Sequence, residues 1–284
     1  MNPFEIEGLW LKGNLHTHSA FSDGIFHCEA LFNGFKSKGY DFISITDHGR
    51  VAEEKSENGI LLIPGVELSE NCAHKLYLNP APSSYGNTYE KIADLPVAGG
   101  TLKILCHPYW SGLKFEDMLT HRDVFAVEIY NHLSEVRWGR GYSVVHWDQL
   151  LSAGIRVLGV AVDDVHDGES MCGGWINVKT HARDAKSILG ALKNGCFYSS
   201  TGVDIEQVHI EDGLVYVKSA CPVREIVFMS STPDAGGKLV RAARGSIIEA
   251  EYCLTGKEDY LRIELTDYHC RKAWTNPFFF KEIE

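Results

Sequence analysis

No stretch of the 284-residue chain approaches the about 20 consecutive apolar residues that a membrane-spanning helix requires. The opening residues MNPFEIEGLW carry no basic segment followed by an apolar one, so a secretory leader is not expected either, and the reading is a soluble, cytoplasmic protein. The eight cysteines (Cys28, Cys72, Cys106, Cys172, Cys196, Cys221, Cys253 and Cys270) form no C-x-x-C pair. That absence removes zinc ribbons and dithiol redox motifs and leaves reduced, buried thiols as the expectation. Positive charge is scarce as well: 27 Lys and Arg face 38 Asp and Glu, a net charge of −11. Such a field repels polyanions unless a local patch reverses it, which weighs against a long nucleic-acid track. Low-complexity segments and internal repeats are missing too.

What is present is an ordinary globular composition, 44% hydrophobic and 23% charged, at a length that allows one large α/β domain with a small companion. In the first two thirds, short β-branched apolar runs alternate with segments of helical periodicity. The runs are FISITDH, ILLIPGVE, LKILCHP and IRVLGVAVDDVH; the helical segments are CEALFNGFKSKG, WDQLLSAG and RDAKSILGALKNG, each closed by a glycine. Alternation of this kind predicts mostly parallel strands. After about residue 200 the texture changes to DIEQVHI, GLVYVKS, REIVFMS, SIIEAEY and YLRIELTD, alternating runs with turn-like breaks and no helix. We therefore expect an α/β domain over residues 1–200 and a small antiparallel, sandwich-like β module over 201–284.

Each apolar run of the first part ends on a residue able to bind a metal: His48, Glu67, His107, and then Asp164 with His166. Ligand candidates that recur at strand ends suit a TIM-like barrel, whose chemistry sits on one face. The stretch NLHTHSAFSDG adds His16 and His18, two residues apart and so on one side of an extended segment, followed by Asp23. Imidazoles and carboxylates without thiolate suit zinc, manganese or iron and do not choose among them.

Together HTHSAFSDG, TDHG, PGVELSENCAH, CHP and DDVH, in that order, resemble the PHP family of polymerase and histidinol phosphatase domains. The resemblance implies a distorted (β/α)7 barrel with two or three divalent transition-metal ions. It implies His16, His18, Glu67 and Asp164 around one metal, Glu67 bridging to a second held by His74 and His107, and Asp23, His48 and His166 around a third. Glu67 and Asp164 then carry the catalysis. The implied activity is hydrolysis of a small phosphoester, such as a phosphomonoester, nucleotide or sugar phosphate, by a metal-bridging hydroxide. The alternatives are a PHP-type nucleic-acid exonuclease and a non-catalytic, metal-stabilised binding module.

Asp47 and Asp163 have two readings, as acceptors that orient imidazoles or as plain strand-end polar groups. Glu128 and Asn131 in AVEIYNH are expected to face the mouth, with Asn131 in contact with substrate or water. Arg137 and Arg140 are candidate phosphate clamps or a solvated basic loop. Tyr109 and Trp110 are candidate stacking surfaces or a wall. His27, His121, His146, His181, His209 and His269 are read as surface or core residues, with His132 a weak further ligand candidate.

Overall fold

Every residue of the run FISI is buried, the condition of a parallel strand covered on both faces. The computed structural model describes residues 1–52, 56–70, 73–90 and 94–280, which leaves Cys72 outside the described residues. In chain order the first part comprises β1 (Leu9–Asn14), α1 (Cys28–Ser37), β2 (Phe42–Ile45), β3 (Leu61–Glu70), β4 (Ala73–Leu78), β5 (Leu102–Leu105), α2 (Pro108–Ser111), α3 (Phe115–Met118), β6 (Ala126–Asn131), α4 (His132–Trp138), α5 (Val144–Ser152), β7 (Leu158–Val162), β8 (Trp175–Thr180), α6 (Ala185–Lys193) and β9 (Phe197–Ser200). Helix α1 buries Leu31, Phe32 and Phe35, and Gly39 at φ +75° turns the chain out of it.

Strands β1, β2 and β3 run parallel, as do β5, β6 and β7. Between them β3, β4 and β5 pair antiparallel. The connection from β3 to β4 is too short for a crossover, so that pair can only be a hairpin. On the other side β1 pairs antiparallel with β8, and β8 with β9. The expected strand end at Glu67 is thus corrected: β3 continues to Glu70, and Glu67 lies inside the hairpin, opposite Leu76. The ladder does not run on from β7 to β9. Side chains close that gap, for Ala161 N–H donates to Ser199 Oγ (3.0 Å) and Ser199 donates to the Gly159 carbonyl (2.9 Å). Leu11, Phe42, Ile63, Leu76, Ile104, Val160, Val162, Ile176 and Val178 fill the enclosed space, with Ile188 and Leu192 of α6 packed among them.

The last third is all strand apart from short turns: β10 (Ile205–Glu211), β11 (Leu214–Val223), β12 (Glu225–Met229), β13 (Lys238–Arg241), β14 (Ile247–Cys253), β15 (Tyr260–Thr266), β16 (Lys272–Thr275) and β17 (Phe278–Phe279). Strands β10, β11 and β14 form a separate antiparallel sheet. It packs through Val208, Val215 and Val217 against Ile226, Phe228, Leu261 and Ile263 of β12 and β15, a sheet-on-sheet core. Strands β12, β13, β15 and β16 belong to the large sheet, because β16 pairs with β9 through Ala273–Ser200, Trp274–Ser199 and Thr275–Tyr198. The sheet therefore crosses the position near residue 200 where composition changes.

Just after β16, Asn276 completes the closure. Its Oδ1 accepts from Gly159 N–H and its Nδ2 donates to the Phe197 carbonyl, both at 3.0 Å and both buried. Asn276→Ala removes both partners from buried backbone groups, at about 1–3 kcal/mol for each group left unpaired. The variant should lose about 3 kcal/mol of stability, measured by urea unfolding, and Asn276→Asp, which sets a carboxylate oxygen against the Phe197 carbonyl, should be destabilised as well.

Candidate metal centre

Residues 16–18 leave β1 in extended form and lie beside residues 164–165. Thr17 forms a parallel bridge with Val165, the His18 N–H donates to the Val165 carbonyl, and the Asp164 N–H donates to that of His16. His48 bridges in the same way to Glu67. Backbone pairing therefore carries these side chains to one place. His16 and His18 do point to the same side, their Nε2 atoms 3.1 Å apart.

Glu67 is the hub. Its Oε2 lies 3.2 Å from His16 Nε2, 3.1 Å from His18 Nε2 and 3.4 Å from His48 Nδ1. Its Oε1 lies 2.8 Å from His74 Nδ1 and 3.4 Å from His107 Nε2. Asp164 Oδ1 stands 3.2 Å from the Nε2 atoms of both His16 and His18. Asp23 Oδ2 is 3.2 Å from His166 Nε2 and 3.5 Å from His48 Nε2. Among the described residues, four groups have ligand spacing: Glu67, His74 and His107; His16, His18 and Asp164; His18, Asp23, His48 and His166; and His16 and Glu67 with the Cys106 thiol, which the sequence reading did not include. All nine candidate ligands named from the sequence lie together here.

Divalent ions fit this arrangement on two grounds. Ligand atoms about 2.0–2.2 Å from a common centre stand about 3.0–3.6 Å from one another, which is the spacing seen here. Asp164 Oδ1 is also a buried carboxylate oxygen without a hydrogen-bond partner, the kind of orphan that a cation satisfies. Two of these residues hold left-handed backbone, His107 at φ +27° and Asp164 at φ +58°. Strain of this kind costs about 1–3 kcal/mol per residue and persists where surrounding structure imposes it.

The imposing structure is a buried network that centres on Glu128. Its Oε1 accepts from His16 Nδ1 (2.7 Å) and its Oε2 from the His107 N–H (2.8 Å). Asn131 Nδ2 donates to Glu128 Oε2 (3.0 Å) and to Asp164 Oδ2 (3.1 Å), while Asn131 Oδ1 caps α4 at the Ser134 N–H (2.9 Å). This corrects the expectation for Asn131, which is fully buried and faces the ligands from behind instead of facing a substrate. Among the described residues neither Asp47 nor Asp163 bonds directly to an imidazole. Asp47 binds the Ser19 N–H and the hydroxyls of Ser19 and Ser22, and Asp163 accepts the backbone N–H groups of Cys172, Gly173 and Gly174. Sequence reasoning missed that Glu128 orients His16; a carboxylate inside the apolar run AVEIYN was the signal, since such a group must find a buried donor.

Electrostatics agree with a site built for positive charge. Burial works against the imidazolium forms, yet the facing carboxylates prevail: Asp164, Glu128 and Glu67 hold His16 well above the usual imidazole range, and Asp164 and Glu67 lift His18 to about 9. His107 is raised by Glu67 in the same way. Burial pushes the carboxyls of Glu67 and Asp164 up, but His16 and its neighbours hold both well below the usual range.

A cavity of about 240 Å³ opens over the cluster, lined by Asp23, His48, Glu67, His74, His107, Asp164 and His166 on one side and by Trp110, Leu133, Ser134, Arg137 and Trp138 on the other. Of the four candidate substrate contacts only Arg137 lines it. Arg140 instead stacks on Tyr109, 5.5 Å from the ring, and Tyr109 packs beside His146. His132 bonds to the Tyr130 hydroxyl and His209 to Glu5 and Glu211, both apart from the cluster.

No protein-family model and no curated protein matches the chain. Among solved structures it is similar to a two-domain protein containing a predicted PHP-like metal-dependent phosphoesterase from Bacteroides vulgatus ATCC 8482, with a TM-score of 0.54 and 16% identity over 92% of both chains. That is a likeness of fold, and its coverage is too large to leave out the β-rich last third. PsfC from Pseudomonas syringae PB-5123 (TM-score 0.45, 12% identity, 64% of this chain and 87% of that one) is a more distant neighbour. So is the lesion-specific endonuclease PfuEndoQ from Pyrococcus furiosus (TM-score 0.45, 13% identity, 66% and 56%).

Two outcomes are expected. Glu128→Gln, which weakens the acceptor that orients His16, should lower metal affinity about 10- to 100-fold in a zinc or manganese titration. Because the facing carboxylates raise the pKa values of His16, His18 and His107, a cation competes with protons for these imidazoles. Metal uptake should release protons and tighten as pH rises toward about 9, and calorimetry in buffers of different ionisation enthalpy will count the protons.

Proposed function

We propose that the chain is a metal-dependent phosphoesterase that acts on a small phosphomonoester, on a distorted barrel of the (β/α)7 type. The observation that carries this reading is Glu67, a fully buried carboxylate whose two oxygens face two different imidazole sets at the floor of an open cavity. His16, His18, Glu67 and Asp164 would hold one divalent ion, and Glu67, His74 and His107 a second. His18, Asp23, His48 and His166 would hold a third. Such ions neutralise phosphoryl charge and make water a competent nucleophile at neutral pH.

The chain's own residues do the rest. Glu128 and Asn131 keep the ligands in one geometry, so that little reorganisation accompanies the reaction. Arg137 supplies the only permanent positive charge among the described residues of the cavity wall and can take phosphoryl oxygens that face away from the ions. Its Nη2 bonds to Asp167, whose own oxygens accept from Glu169, Ser170 and Arg137, so the guanidinium is held in place. The open mouth speaks against a purely structural metal site, which is usually closed.

Substrate size separates this reading from nucleic-acid cleavage. A cavity of about 240 Å³ that opens to solvent suits a small phosphomonoester, and a net charge of −11 opposes a long polyanion. With metal restored, phosphate release from small phosphomonoesters should exceed cleavage of a single-stranded oligonucleotide of about twenty residues at low and at moderate salt, where screening differs. Glu67→Gln should abolish the release and leave the circular dichroism spectrum unchanged. Faster turnover of the oligonucleotide at both salt levels would move the assignment to a nuclease.

A further inference from the structure

The wall of the cavity opposite the ligands is aromatic, and the reaction proposed above does not require that. Helix α4 puts Leu133 and Arg137, and Ser134 and Trp138, at i, i+4 spacing, so all four share the face that lines the mouth. Trp138 is 50% exposed there. Its ring lies 5.6 Å from that of Trp110 at 54°. Trp110 in turn stands nearly edge-on to His107, 4.9 Å away, and 6.2 Å from His74. Two ring-to-ring steps therefore join a half-exposed indole to the ligand cluster, a span that a phosphate and one pentose can cover.

This wall does not float relative to the chemistry. The residue that caps α4, Asn131, is the same residue that bonds Asp164 and Glu128, so the helix that carries Trp138 and Arg137 is registered to the ligands through one side chain. Indoles inclined to each other at 54° offer a flat ligand one face and one edge, the arrangement that aromatic rings prefer. A bare sugar phosphate would reach the ions and Arg137 but leave Trp138 uncovered.

We propose that Trp138, with Trp110 beside it, is a specificity-determining stacking subsite for a planar aromatic ring carried near the phosphate, which makes the substrate class a nucleoside monophosphate. The proposal rests on the phosphoesterase reading for its turnover, but its recognition element can be measured without turnover. Base-on-aromatic stacking of this kind is worth about tenfold or more in affinity.

The test compares adenosine 5′-monophosphate with ribose 5-phosphate, which shares the sugar and phosphate and lacks the base. In the metal-loaded protein the nucleotide should have the higher kcat/KM by about tenfold or more. In Trp138→Ala that ratio should fall toward one, chiefly through the KM of the nucleotide, and Trp138→Phe should restore part of it. A ratio near one in the unaltered protein, or a ratio unchanged in Trp138→Ala, overturns the proposal. If neither compound releases phosphate, the phosphoesterase reading fails by itself and equilibrium dialysis of the same two compounds decides the inference. Tighter binding of the nucleotide that is lost in Trp138→Ala keeps the subsite, and equal binding removes it.

Discussion

The buried carboxylate of Glu128 is the constraint on which the rest of the site depends. A charge enclosed by strand β6 and its neighbours is tolerable only if donors surround it, and here three do: His16 Nδ1, the His107 backbone N–H and Asn131 Nδ2. Each of those donors belongs to a different strand end. Satisfying one buried charge therefore fixes the tautomer and tilt of His16, the unusual backbone at His107 and the rotamer of Asn131 together. Through Asn131 the same constraint extends to Asp164 and to the first turn of α4.

Around that network the ligands crowd one another in a way that a protein without cations tolerates poorly. Carboxylates of Glu67 and Asp164 lie in a nearly solvent-free floor, and the histidines that face them are driven toward the protonated form. Protons and metal ions thus compete for the same imidazoles. Parallel strands hold the backbone beneath, and His74 arrives from β4, which pairs antiparallel between β3 and β5. Most candidate ligands thus follow strand ends, while Glu67 and His74 lie within the β3–β4 hairpin.

The last third of the chain contributes at a distance. Its own core is a two-layer packing of β10, β11 and β14 on β12 and β15. Strand β16 extends the large sheet at β9, and Asn276 supplies hydrogen bonds to Gly159 and Phe197 at the gap in the ladder. Strand β7, which leads directly into Asp164, lies along that gap. The β-rich part consequently supports the face that carries the candidate metal site from its side, although none of its described residues lines the cavity.

Strand-end histidines and carboxylates could be read from the sequence because each follows an apolar run whose period and composition are local properties: ISI before Thr46–His48, LKIL before His107, VLGVAV before Asp164. The helices that end at Gly39, Gly154 and Gly195 were legible for the same reason. Tertiary structure alone decided which polar groups answer one another. Asn131 looked like a substrate contact until burial placed it behind Asp164, and of the two readings of Asp47 the hydrogen bonds from Ser19 and Ser22 leave the one without an imidazole partner. Hydrogen-bond partnership across strands distant in sequence has no local signature. The aromatic wall is of the same kind, for Trp110 and Trp138 meet only because α2 and α4 leave neighbouring strands toward the same mouth. Local periodicity and residue chemistry thus determined the elements and the ligand types, and the closing of the sheet decided which of them meet.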